Sequence, residues 1–298
     1  MKLFLLLLMF GNTYSSEYLH LVPHLQKDEA TLTVSSSLYA EEKTYEKDLQ
    51  VIDLTNQEGY VQTLNYKRAT SERLTYEIEI QALISGKYNE TYSGPLSFIS
   101  DKRDQSHGIK EPVGKLYYWF PSSIKNFDQA LFASYRPKLY EPKAHQFFNG
   151  RHEITLSYLY KYQESIFEIS GEVFSTIFGK KEVRLDSGAE DTIDSFTEVG
   201  LKFTPGLIFE AFSIHLLTSY SSMTDYNTRN QFFERYSDKG YAVEIGGKIN
   251  WRILKNQGLS FSYLERESYF NSIEEDLSRN IEFEIDSEEY KLSWWILL

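Results

Sequence analysis

A chain of 298 residues with no cysteine has neither a disulfide framework nor a thiolate metal site, which sets aside the small disulfide-stapled secreted folds. A formal net charge of −12, from 31 basic and 43 acidic residues with no run of Lys or Arg, provides no counterion-release affinity, so nucleic acid is excluded as a partner. Aromatic residues reach 16%, mean hydropathy is −0.43, and no apolar run beyond residue 10 approaches the roughly 18 residues a membrane helix needs, a combination that suits strands of which only alternate residues meet lipid.

Residues 1–15 read as a secretory signal peptide: Lys2 precedes the apolar run Leu3–Phe10, and the small residues Thr13 and Ser15 flank a cut at minus three and minus one. The apolar run is too short for a spanning helix, rising only about 12 Å against a hydrocarbon core of about 30 Å. With no Cys after the cut, a lipoprotein anchor is excluded. Residues 16–298 contain no Pro/Gly/Ser linker after residue 30 and are expected to form one all-β domain.

Period-two alternation marks ten strands in chain order. They are Thr31–Glu41, Gly59–Lys67, Leu74–Ile84, His152–Tyr162, Ile166–Phe178, Ser195–Phe203, Leu207–Tyr220, Tyr241–Arg252, Gly258–Leu264 and the final stretch ending at Leu298. The pattern is clearest in Tyr241–Arg252, where Ile245, Ile249 and Trp251 share one parity and Glu244, Lys248 and Arg252 the other. Leu207–Leu217 is apolar on both faces, so alternation does not orient it. Residues 87–151 are broken by Pro95, Pro112, Pro121, Pro137 and Pro142 and read as a long loop. That loop either folds into a barrel mouth or carries an extra hairpin, Lys115–Phe120 with Gln129–Arg136, which raises the count to twelve.

The connections alternate in length. About 17 residues (Glu42–Glu58) precede the short Arg68–Ser71, the long loop precedes Gln163–Ser165, and Gly179–Asp194 precedes Thr204–Gly206. Ser221–Lys239 then precedes Leu254–Gln257, and a long segment follows Tyr269. Long loops at one end, short turns at the other and an even strand count are what a bacterial membrane barrel requires.

The chain closes on Tyr290, Leu292, Trp294, Ile296 and Leu298, all on one strand face. Here the sequence resembles the Gram-negative outer-membrane β-barrel proteins, whose last strand carries an alternating aromatic signal read by the barrel assembly machinery; Leu298 departs from the usual terminal Phe or Trp. The resemblance implies a single antiparallel up-and-down barrel of 10 to 12 strands in the outer membrane, with lipid and the assembly machinery as partners.

If the apolar face meets lipid, Glu77, Glu79, Glu153, Lys161, Glu168, Glu172, Glu198, Lys202, Glu244, Lys248 and Arg252 face the lumen, because Lys or Arg at the bilayer midplane costs about 2–4 kcal/mol. Such charges can pair across a narrow lumen and fill it, or line a passage. The expected function is a narrow pore or facilitator for small solutes or lipid, with a closed surface-interaction barrel and an outer-membrane hydrolase as competitors. No cofactor and no metal are expected, since none of the six histidines has ligand spacing or sits in a local Ser/His motif, and no catalytic residue is assigned.

Overall fold

A computed structural model describes residues 24–47, 50–92, 100–104, 108–140, 150–184, 190–229, 234–274 and 279–298. The segment read as a signal peptide lies outside them. The chain is all β. It opens with β1 (Ala30–Lys47), β2 (Gln50–Ala69) and β3 (Leu74–Tyr92), and then β4 (Ser100–Asp104), β5 (Gly108–Ile109) and β6 (Val113–Phe120), three pieces of one interrupted strand that all pair with β3. β7 (Phe127–Arg136), β8 (Glu153–Glu164) and β9 (Phe167–Phe178) follow, and the short β10 (Lys181–Arg184) and β11 (Glu190–Ile193) carry β9 and β12 (Phe196–Ile208) past the membrane. β13 (Phe212–Met223) and β16 (Gly240–Leu254) are extended in the same way by β14 (Tyr226–Arg229) and β15 (Glu234–Ser237), before β17 (Gln257–Glu274) and β18 (Arg279–Leu297).

Every pairing is antiparallel, and β1 pairs with β18 from Thr31↔Leu297 to Glu46↔Glu282. The ladder therefore closes into a twelve-stranded up-and-down barrel. The twelve-strand alternative holds: β6 and β7 are the extra hairpin inside residues 87–151, joined to β8 by 137–152.

Alternation decides which residues touch what. Outward positions are apolar and exposed on strand after strand: Ile154 and Leu156, Val199 and Leu201, Ile245 and Ile249. Their neighbours point inward and are polar, with Ser35, Thr63, Ser157, Thr176 and Ser221 buried. Tyr290, Leu292, Trp294, Ile296 and Leu298 share the outward parity, opposite Leu38 and Val34 of β1 and Tyr263, Phe261 and Leu259 of β17. β13 is oriented by its register: Ile214 and Leu216 are exposed on the lipid side, while Ser213 and His215 are buried on the other.

Five expectations need correction. Thr204–Gly206 is no turn, because Pro205 and Gly206 stay paired with Ile169 and Glu168 of β9. The ladder to β13 skips Thr204 and Pro205, where a backbone donor is missing, and resumes at Gly206↔His215. The reversal falls at Phe209–Ala211, closed by the Phe209 N–H on the Phe212 carbonyl at 2.8 Å. Glu42–Glu58 and the segment after Tyr269 are not long loops either. Strands β1, β2, β17 and β18 continue through them, so one side of the barrel stands taller than the rest. The same holds for Gly179–Asp194 and Ser221–Lys239, whose described parts are the β10–β11 and β14–β15 ladders.

The segment before β1 folds into the short-turn mouth. Leu25 is fully buried, the His24 ring stacks on the inward-facing Trp119 at 4.3 Å, and His24 Nε2–H donates to the Glu72 carbonyl at 2.9 Å. The Asp28 N–H donates to Ala69 O at 3.0 Å, pinning the entry to β1.

The two faces predict opposite tolerance at neighbouring positions of β12. Leu201→Arg puts a cation in lipid at about 2–4 kcal/mol and is expected to abolish assembly, whereas Lys202→Ala should still give a chain that runs faster on a gel before boiling than after. Equal loss of that shift in both variants would contradict the assignment of faces.

Candidate functional site

The residues that can act chemically converge in the lumen, because the ladder sends every second side chain there. At the level of β3 and β6, Lys115 Nζ lies 2.7 Å from both Glu77 Oε1 and Glu79 Oε2, Asn65 donates to Glu77 at 2.6 Å, and the Tyr117 hydroxyl donates to Glu77 at 2.9 Å. Lys67, inward on β2, sits 4.3 Å from the centre of the Tyr117 ring. Across β9 and β12, Lys202 Nζ reaches Glu172 at 3.1 Å and lies 5.0 Å from the Phe174 ring centre, and Ser157 donates to the same Glu172 at 2.6 Å.

Arg266 of β17 joins two carboxylates from different strands. Its Nη2 lies 3.0 Å from Glu198 Oε1 and its Nη1 lies 3.0 Å from Glu244 Oε1; Ser219 and Ser221 donate to the same two acids. Toward the open end, Arg136 Nη1 meets Glu153 Oε2 at 2.5 Å. Toward the short turns, Lys161 Nζ meets Asp128 at 2.8 Å, Arg252 donates to the Glu210 carbonyl, and Lys248 stands opposite His215. All eleven charges expected to face inward have the inward parity.

Alternation alone names no partner for Glu244. In the structure that partner is Arg266, which alternation missed because the predicted strand Gly258–Leu264 stopped short of it. Lys115 and Arg136 were missed as ion-pair partners for a related reason: both lie in the stretch that prolines made read as loop.

One cluster has the order of a hydrolytic relay. His215 Nε2 lies 3.0 Å from Ser213 Oγ, and His215 Nδ1 lies 3.8 Å from Glu168 Oε1. Asn250 Nδ2 also donates to Ser213 Oγ, at 2.9 Å. Ser213 is 0% exposed and His215 and Glu168 are 1% exposed, so the hydroxyl is enclosed by its neighbours. This group packs the wall; Gly206 makes room for the ring, since a Cβ there would sit 2.4 Å from His215 Nδ1.

The outer face of the tall side carries its own feature. A concavity of about 920 Å³ is lined by Glu42, Glu58, Asp286 and Glu288 among others, and a second of about 580 Å³ lies below it against Leu38, Tyr60 and Tyr290. The Asp286 carboxyl is held above its ordinary range by burial and by repulsion from Glu284, Glu267, Glu42 and Glu265.

A closed ladder, an outward apolar belt and charges gathered inside define an outer-membrane β-barrel protein. The fold is shared with an outer-membrane channel from Pseudomonas putida F1 (TM-score 0.58, 11% identity, 92% of this chain and 97% of that one). The transport unit of the autotransporter AIDA-I from Escherichia coli is similar at TM-score 0.49 and 9% identity, over 93% of both chains. The outer-membrane protease OmpT from Escherichia coli is similar at 0.40 and 8%, over 95% of this chain and 100% of that one. No family model and no curated protein matches the sequence. At these identities the likeness is one of fold.

The Arg266 triad makes an energetic prediction. Arg266→Met leaves Glu198 and Glu244 facing each other without a cation and should destabilise the barrel by about 1–3 kcal/mol, the usual cost of stranding a buried polar partner. Adding Glu198→Gln and Glu244→Gln should recover part of that loss, because removing a whole group costs less than breaking it. Urea unfolding of the refolded protein measures both; a triple variant no more stable than Arg266→Met removes the coupling.

Proposed function

We propose that the protein is a non-enzymatic, narrow outer-membrane passage for small polar solutes. The observation that carries this reading is the state of Lys202. Its neighbours Leu201 and Phe203 face lipid, it points inward from the middle of β12, and its side chain is nonetheless 44% exposed. Exposure at that place requires open volume inside the barrel. Twelve strands stand between the eight that side chains fill and the sixteen or more that leave a wide channel, so a restricted, charge-lined path is what the geometry accommodates. The likeness in fold to the Pseudomonas putida channel supports this reading.

A second reading, a closed barrel that acts through its surface, is favoured by the acidic concavity on the tall outer face. Planar-bilayer recordings separate the two. The passage predicts small, stable openings, and Lys202→Glu should shift their ion preference toward cations by replacing a lumenal positive charge with a negative one. Absence of openings in either polarity from refolded, heat-modifiable protein supports the closed barrel instead.

A further inference from the structure

The open end of the lumen gathers cations from four separate parts of the chain. The Gly179 N–H donates to the His152 carbonyl at 2.8 Å, one step beyond Glu153↔Phe178, which brings the chain entering β10 up to the segment that holds Gly150 and Arg151. Gly150 adopts φ 67°, a left-handed conformation natural to glycine, and its N–H donates to Glu111 Oε1 at 3.0 Å. That contact draws in Lys110, whose own N–H is held by the Gln81 carbonyl of β3 at 2.8 Å. Arg151 lies flat over two inward aromatic rings, 4.6 Å from the centre of Phe178 and 4.9 Å from Phe196. Lys43 enters from β1, on the inward parity shared with Glu41.

The carboxylates at this level are already engaged. Glu153 is shared between Arg136 and Arg151, at 2.5 Å and 3.9 Å, Glu41 pairs with Lys43 at 2.9 Å, and Glu111 holds the Gly150 N–H. Glu79 and Glu198, which also act on Lys110 and Arg151, are themselves held by Lys115 and Arg266. Among the described residues the ammonium of Lys181, half-buried, makes no hydrogen bond or ion pair. Its ammonium pKa is lowered to about 8 by burial and then by the charges of Arg151, Lys43 and Lys110, with Glu41 opposing. The protein therefore holds a half-buried cation among like charges, an arrangement that an entering anion relieves.

We infer that Lys181, Arg151, Lys110 and Lys43 form a binding site for a small multivalent oxyanion, of the phosphate, sulfate or polycarboxylate class, at the outer vestibule of the lumen. Three ammonium groups and an aromatic-backed guanidinium from different walls suit an anion with several oxygens more than a monovalent halide. The inference rests on the reading of the lumen as a passage only in making that anion a solute in transit.

The test uses the full mature chain, refolded in detergent, titrated calorimetrically with sulfate against chloride at matched ionic strength. Sulfate keeps its charge between pH 7 and 9, so any pH effect belongs to the protein. Saturable sulfate binding is expected. Lys181→Gln should weaken it at least tenfold, while Lys180→Gln, whose lysine pairs with Glu182 at 3.1 Å, should stay within about twofold. Wild-type affinity should fall from pH 7 to pH 9 as the lowered ammonium loses its proton, and Lys181→Arg should bind at pH 7 and show a shallower fall. The gel shift confirms that each variant is folded. No saturable sulfate binding in the wild type, or equal losses in Lys180→Gln and Lys181→Gln, overturns the site. Binding without conductance removes the passage and leaves the site, and conductance without binding does the reverse.

Discussion

Closure of one hydrogen-bonded ladder governs the rest of this molecule. In lipid an unpaired backbone N–H or C=O costs several kcal/mol, and an open sheet would present two such edges. The pairing of β1 with β18 over sixteen successive positions removes both edges. Closure also commits each strand to two solvents, because the pleat alternates and no strand can turn both faces the same way. The lipid-facing Leu201 and the lumenal Lys202 are adjacent residues separated by that rule alone.

The lumen is therefore where the charge has to go, and its contents follow from the need to satisfy what is sent there. Paired groups such as Glu77–Lys115–Glu79 and Glu198–Arg266–Glu244 come from strands far apart in sequence. Buried ion pairs are costly to desolvate and act here mainly to avoid stranded charges. Apolar groups occupy the lumen too. Tyr117, Trp119, Ala130 and Leu159 form one cluster, and Met223, Ala242 and Phe270 another against Phe196 and Phe283. Leu25 and the stacked His24–Trp119 pair lie at the short-turn mouth, whereas Lys202, at mid-strand, is 44% exposed.

Beyond the belt the barrel is lopsided, and its chemistry divides by face. The tall side, β17 to β3, turns carboxylates outward around Asp286, while the interior at the same end collects Lys110, Arg151 and Lys181. A net charge of −12 thus coexists with a cationic vestibule. Overall charge says nothing about which sign the lumen presents, since field lines are focused by the local walls.

Membrane-barrel architecture was legible in the sequence wherever one face of a strand meets lipid. There the apolar requirement is strict, and positions such as Ile154, Leu156, Ile245 and Ile249 carry it. The inward parity of the charged residues follows from the same rule. The alternation fades above the belt, where both faces meet water, yet backbone hydrogen bonds continue regardless of side chain; β1, β2, β17 and β18 therefore run well past where they were expected to end. It was also misleading at Pro205-Gly206, where local turn chemistry points to a reversal that the continuing apolar positions and the β9 ladder override. Partner choice was not legible at all. Glu244 finds Arg266, and Lys181 finds Arg151 and Lys110, because register between strands and the fold of residues 108–112 and 150–151 set distances that no spacing along the chain encodes.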